Sequence, residues 1–171
     1  MNIVWFKRDL RMLDHEPLSN ACAAGKILPL YIIEPDLWKQ HDVSYRHFLY
    51  LRHYLSLLEA MFERRGCKLV IKVGNALIIL KSLLDKHNVE KIYSHHETWN
   101  AFARNRDKTI RRWVTENSVD WIEYQQNGVV KNLKSRDGWS SLWHKYMQKK
   151  ICEVPKKIDC VSEESDELPS F

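Results

Sequence analysis

Five short apolar runs alternate with amphipathic stretches over the first 125 residues. Asn2–Phe6 and Lys26–Ile33 are nearly unbroken runs of apolar, β-branched and aromatic residues, the pattern of strands covered on both faces. Between them Asp14 is placed to cap a helix reaching about Ala24, with Pro17 in its first turn and Gly25 as its stop. From Ser44 to about Arg65, residues Phe48, Leu51, Leu55, Leu58 and Phe62 recur at steps of three and four, which predicts a long helix with one apolar face that ends at Gly66. Lys68–Val73 reads as a third strand. Gly74-Asn75 then supplies a turn and a cap for a helix with Leu77, Leu80 and Leu84 on one face. Lys91–Ser94 is a fourth strand, a charged helix follows over Asn100–Glu116 with Phe102, Ile110 and Trp113 inward, and Val119–Tyr124 is a fifth strand.

Strands separated by crossovers too long for hairpins predict the α/β class, specifically a Rossmann-like, doubly wound, five-stranded parallel sheet with helices on both faces. The rhythm stops after Tyr124. Gln125–Gly138 is polar, and Trp139, Leu142, Trp143, Tyr146 and Met147 then form one apolar stripe on a short helix, expected to pack on the sheet or on a further domain. The last twenty residues are acidic, contain serines and lack periodicity, as a linker would. The expected organisation is an α/β domain over residues 1–130 and a connector over 131–171, with one short helix and an acidic linker.

Length agrees: 171 residues hold one domain plus an appendage at about 100 to 200 residues per domain. The longest apolar run, Ile27–Ile33, is far shorter than the roughly 18 residues of a membrane span, and Lys7, Arg8 and Asp9 follow too soon after the start for a signal peptide. A cytoplasmic protein without a membrane partner is expected. Cys22, Cys67, Cys152 and Cys160 stand singly, with neither zinc nor disulfide spacing, so reduced thiols are expected. The net charge of +5 conceals an asymmetry. The last 21 residues carry six carboxylates against two lysines, a net −4, so the first 150 hold +9. Such a body attracts anions. Lys131, Lys134, Arg136, Lys145, Lys149 and Lys150 around the last helix raise nucleic-acid binding as a hypothesis, although its tryptophans lie on the apolar stripe rather than on an exposed stacking face.

Open α/β sheets bind ligands beyond the carboxyl ends of their strands. The first such loop, Lys7-Arg8-Asp9-Leu10-Arg11, carries three cations and a carboxylate where a dinucleotide fold would have a glycine-rich turn; neither GxGxxG nor GxxxxGK[ST] occurs. Pairing of Asp9 with one of the arginines is the plain expectation for a covered charge. The loop after strand four, His95-His96-Glu97-Thr98-Trp99, precedes Arg104, Arg106 and Asp107. Neighbouring histidines at a strand end point to opposite sides and make poor co-ligands, so no metal is expected. Trp99 and Phe102 suit stacking on a planar ligand, and Glu97 suits accepting from its ring nitrogens. No GxSxG or other nucleophile arrangement is present, and Glu34 and Asp36 after strand two fit capping better than acid-base work. No catalytic residue is assigned. On residues alone, the chain is a ligand-binding α/β domain.

Ile3-Val4-Trp5-Phe6-Lys7-Arg8-Asp9-Leu10-Arg11 with Asp14 and Leu18 resembles the opening signature of the DNA photolyase and cryptochrome family. Glu97 with Ala103-Arg104-Asn105-Arg106-Asp107 and the Phe48, Leu51, Leu55 pattern support it. The resemblance covers about residues 1–125; the Trp139–Met147 helix and Leu168-Pro169 are similar to the connector that follows in that family. His15-Glu16 departs from an Asp-Asn type pair. The resemblance implies an N-terminal antenna domain whose chromophore passes energy to FAD held in a separate helical domain, absent here, where UV-damaged DNA would be repaired by splitting pyrimidine dimers. This chain alone is expected to be inactive. Phe102-Ala103 before Arg104 is more similar to the deazaflavin or flavin-nucleotide branch than to the folate branch with its Asn-Glu pair. Lys7, Arg8 and Arg104 would then face a ligand phosphate or carboxylate, Phe6 and Phe102 its ring, and Glu97 a ring N–H, with Glu34 nearby. The alternative is a free-standing nucleotide-binding or regulatory module of the same fold without repair activity.

Overall fold

The computed structural model describes residues 1–130, 133 and 135–169. Five strands, β1 (Asn2–Phe6), β2 (Ile27–Ile33), β3 (Val70–Val73), β4 (Lys91–His95) and β5 (Asp120–Tyr124), alternate with α1 (Glu16–Ala24), α2 (Pro35–Trp38), α3 (Tyr45–Glu63), α4 (Ala76–Lys86) and α5 (Ala101–Glu116), and α6 (Trp139–Met147) follows. All strand pairs are parallel, in the order β3-β2-β1-β4-β5. The expected doubly wound sheet is therefore present.

Alternation along β1 divides the core in two. Val4 and Phe6 join α1 and α3 through Leu18, Phe48, Leu55 and Phe62 on one face, while Ile3 and Trp5 join α4 and α5 through Leu80, Ile110 and Val114 on the other. Every residue of β1 and β2 is buried, which is why neither run alternates in polarity. The caps follow side-chain chemistry. Asn75 Oδ1 accepts from the N–H of Leu77 and Ile78, and Asn100 Oδ1 accepts from Ala103. Strand order reverses between β1 and β4, and there the loops after the two strands part and open space for a ligand.

Four expectations need correction. Asp14 does not cap α1: it sits at φ 54° and its Oδ1 accepts from the Cys152 N–H at 3.2 Å, while His15 is the cap, its Nδ1 accepting from Leu18. The four-residue α2 was not foreseen, being too short for any periodicity to show. The apolar stripe of α6 is not covered: Trp139, Leu142 and Met147 are 41%, 42% and 57% exposed. Trp139 Nε1 donates to Gly128 O and the Tyr146 hydroxyl to Gln125 O, both at 3.1 Å, and a Cβ on Gly128 would lie 2.1 Å from the Trp143 ring, so glycine is required there. Lys131 and Lys134, from the basic cluster noted above, lie outside the described residues.

The fourth correction concerns the acidic tail and the thiols. Residues 152–166 strap the fold rather than trail from it. Ile27 N–H donates to Asp159 O at 2.8 Å and Val161 N–H to Ile27 O at 2.9 Å, so the chain around Cys160 continues the sheet where β3 does not reach. Asp166 N–H donates to Ile71 O, and Asp166 Oδ2 accepts from Val73, which covers the open edge of β3. Cys67 and Cys160, 93 residues apart, form a disulfide. Spacing within the sequence carries no trace of a pair joined only because the tail returns. Glu163 receives Lys86 at 2.9 Å and His87 at 2.6 Å, with Lys72 at 3.5 Å; against the opposing effect of burial, these partners hold its carboxyl down to about 2.

Cys160→Ser should lower stability by about 2 to 4 kcal/mol, because the unfolded chain regains the freedom of a long closed loop. Calorimetry under non-reducing conditions, with hydrogen exchange of residues 151–169, checks it; an unchanged melting temperature and unchanged tail protection would contradict the strap.

Candidate functional site

The chain between β1 and α1 is organised by one carboxylate. Asp9 Oδ1 accepts from the Lys7 backbone N–H at 2.7 Å, and Oδ2 meets His15 Nε2 at 2.8 Å and His95 Nδ1 at 2.5 Å. All three residues are buried. Asp9 thus pairs with two histidines and not with an arginine, as the sequence had suggested; Arg8 pairs with Glu97 and Arg11 donates to Asp14 O. Burial opposes the charge on Asp9, but the two imidazoles hold its carboxyl well below the usual carboxylate range. Burial also pushes His15 below its ordinary 6.5, against the pull of Asp9. The spacings, 2.8 and 2.5 Å, are those of direct hydrogen bonds, so the trio forms a bonded network. His96 turns the other way, its Nδ1 3.5 Å from Glu123.

Around it lies a second network of paired charges. Lys7 Nζ reaches Asp107 at 3.0 Å, His95 O at 3.3 Å and Glu123 at 3.8 Å. Arg106 binds Glu34 at 2.7 Å and Asp107 at 2.8 Å and approaches Glu97 at 3.8 Å. Arg111 pairs with Glu123. The cations also interleave with indoles: Arg106 and Lys7 lie 4.9 and 4.6 Å from the Trp5 ring, and Lys7 and Arg111 lie 5.0 and 4.9 Å from Trp121. Burial brings the Lys7 ammonium down to about 8 despite Asp107. Burial raises the Glu34 carboxyl, which Arg106 and the Ala76 N–H only partly offset. For Asp107 the balance falls the other way, and Lys7 and Arg106 hold it low against burial.

A cleft of about 410 Å³ opens above this network, at the carboxyl ends of β1 and β2 and against α3. Phe6, Lys7, Arg8 and Glu97 line it, joined by Trp5, Tyr31, Trp38, Tyr50, Tyr54 and Trp99. The Arg8 side chain, 45% exposed, lies 4.9 Å over the Trp99 ring and 3.4 Å from Glu97, whose Oε1 also accepts from the N–H of Thr98 and Trp99. Arg8 is therefore a half-exposed cation at the cleft, paired with Glu97 and stacked on Trp99, whereas Lys7 is buried inside. The other expected residues lie elsewhere. Glu34 is buried beneath Arg106, accepting also from Ala76. Arg104 is exposed and donates to Trp99 O, and Phe102, on α5, is not part of the cleft wall. Sequence reading missed Trp38, Tyr50 and Tyr54. The one available signal was the Tyr50–Tyr54 pair at i, i+4, flanking the apolar face of α3.

An open parallel sheet with an aromatic cleft at its switch point, rimmed by a half-exposed arginine, defines a small-molecule-binding α/β domain. The chain belongs to the DNA photolyase family, whose profile matches residues 2–146. It is 27% identical over 117 residues to the deoxyribodipyrimidine photo-lyase of Salmonella typhimurium, covering 65% of this chain and 24% of that one. It is 30% identical over 147 residues to the cryptochrome DASH of Oryza sativa subsp. japonica, covering 79% and 24%. Among solved structures, the bacterial class III photolyase of Agrobacterium tumefaciens superposes with a TM-score of 0.79 at 21% identity, over 97% of this chain and 36% of that one. The archaeal photolyase of Sulfolobus tokodaii, solved with two FAD molecules, gives 0.73 at 22% over 94% and 39%. The chain spans about a quarter of the length of these curated relatives. No helix among the described residues is long and apolar enough to cross a membrane.

The histidine and aspartate together set the acid limit of the fold. His15, depressed when folded, takes up a proton more readily unfolded, so stability should begin to fall as pH drops below 6.5. Asp9, also depressed, adds a further loss below its ordinary 3.8. Denaturant titrations from pH 8 to 3 should show the first slope in the unaltered chain and lose it in His15→Asn. Asp9→Asn should cost about 3 kcal/mol, since it leaves the buried donors poorly matched.

Proposed function

We propose that this chain is the light-harvesting α/β domain of a photolyase or cryptochrome and that the aromatic cleft beside β1 holds its pigment, a flavin nucleotide or deazaflavin rather than a folate. The supporting observation is the cleft itself: its volume lies within the range of about 300 to 1,000 Å³ usual for small-molecule sites. Trp38, Tyr50, Tyr54 and Trp99 offer flat apolar faces to a tricyclic ring, and Arg8 at the rim offers a cation to a ribityl phosphate or acidic phenol. Phe102-Ala103 before Arg104 favours the flavin-type reading, although the two residues act through the start of α5 and not by lining the cleft. A buried, tightly paired floor suits a pigment that must be held rigidly, because a chromophore that moves loses its excitation as heat.

In this reading the whole protein joins the domain to an FAD-binding helical partner domain and acts in the cytoplasm on UV-damaged DNA. The excited reduced flavin donates an electron to the pyrimidine dimer and recovers it after the ring splits. None of that chemistry is assigned to the residues described here.

Adding flavin mononucleotide to the protein should quench its fluorescence saturably and raise its polarisation. Arg8→Ala and Tyr50→Ala should each weaken binding about tenfold, or about 1.4 kcal/mol. Tighter binding of methenyltetrahydrofolate than of flavin mononucleotide would overturn the choice of pigment. Thermal stabilisation by AMP or ATP alone would favour the free-standing nucleotide-binding module instead.

A further inference from the structure

We propose that the Cys67–Cys160 disulfide is a thiol-exchange site: a small thiol of the glutathione class attacks it at Cys160, and its opening unfastens the tail from the edge of the sheet. The bond joins a fixed point to a movable one. Cys67 follows the end of α3 and is only 6% exposed, packed in the core on the α1 and α3 side. Cys160 is half-buried on the returning tail, between the exposed Asp159 and the half-buried Val161. An incoming thiolate approaches in line with the S–S bond, so the sulfur within its reach is that of Cys160, and Cys67 is the leaving group.

The first thiolate forms a mixed disulfide with Cys160 Sγ and releases Cys67 as a thiolate, which takes a proton from water. A second thiolate attacks the small-molecule sulfur of that adduct, leaves with it as a symmetric disulfide and frees Cys160, which is protonated in turn. Two electrons have then passed from two small thiols to two cysteine sulfurs, and the small disulfide reverses the sequence. The core holds a place for the reduced form. Cys67 Sγ lies 3.4 Å from Ile158 O, an acceptor that a thiol S–H can use and a disulfide sulfur cannot.

The consequence follows from what the tail covers. On either side of Cys160, the bonds from Ile27 N–H to Asp159 O and from Val161 N–H to Ile27 O hold the tail to β2. Further on, Ser165 Oγ accepts from the Ile71 N–H and the Asp166 N–H donates to Ile71 O, so the tail occupies both ladder groups of one β3 residue. These are isolated contacts rather than a continuous ladder, supported at the side by the pairing of Glu163 with Lys86 and His87. Without the covalent tie, residues 159–166 open locally and return the β3 edge to a state in which it can pair with another strand.

The unaltered chain, purified without reductant, serves for the test. Treated with reduced glutathione, quenched with acid at intervals and mapped by mass spectrometry, it should show a transient glutathione adduct at Cys160. Reduced glutathione by itself marks only a disulfide sulfur, so the free Cys22 and Cys152 stay unlabelled. After full reduction, the amides of Ile27, Val161 and Asp166 should exchange at least about tenfold faster, while those of β1 keep their protection. No adduct at Cys160, an adduct at Cys67 instead, or tail amides as protected after reduction as before would each overturn the proposal. So would a bond that yields only when β1 loses its protection as well.

Discussion

The ionised Asp9 carboxylate, enclosed and 1% exposed, is the constraint on which the ligand-binding end of this domain depends. Its two oxygens gather the N–H of Lys7 just past β1, the ring of His15 at the start of α1 and the ring of His95 at the end of β4. Three segments that diverge where strand order reverses are thereby tied to one atom group. A charge in that position is tolerable because three donors converge on its two oxygens. The same bonding fixes the direction in which Lys7 and Arg8 leave β1, and with it the geometry of the cleft beneath Trp99.

Below the cleft, Lys7, Arg106 and Arg111 face Glu34, Asp107 and Glu123, and at its rim Arg8 faces Glu97. Networks of this kind contribute little net stability, since removing both charges from water offsets most of their attraction. Their effect is positional. Lys7 between Trp5 and Trp121, and Arg106 against Trp5, hold two large indoles in register with the carboxylates, so the floor under a bound ring cannot shift without breaking several contacts together. Apolar packing alone would hold that floor with less directional specificity.

The tail acts at the opposite edge. By bonding to β2 and β3 and closing the disulfide at Cys160, it shields a sheet edge that would otherwise invite strand pairing. It also brings residues 149–153 beside α1, where with α6 and the loop 125–128 they line a cavity. The stretch with the least pattern in the sequence thus contributes to both the edge and a cavity.

Local chemistry along the chain determined the five strands, the helices with apolar faces, the asparagine caps and the loop cations after β1, because periodicity and capping act over a few residues and survive in the order of amino acids. Tertiary structure alone decided who meets whom. Asp9 has arginines as sequence neighbours, yet it binds His15 and His95, since the topology delivers the end of β4 and the start of α1 to it and leaves Arg8 facing the cleft. Cys67 finds Cys160, and Tyr50 turns toward Trp99's cleft, for the same reason: a contact between distant segments depends on where the folded strands end, and no spacing within one segment encodes that.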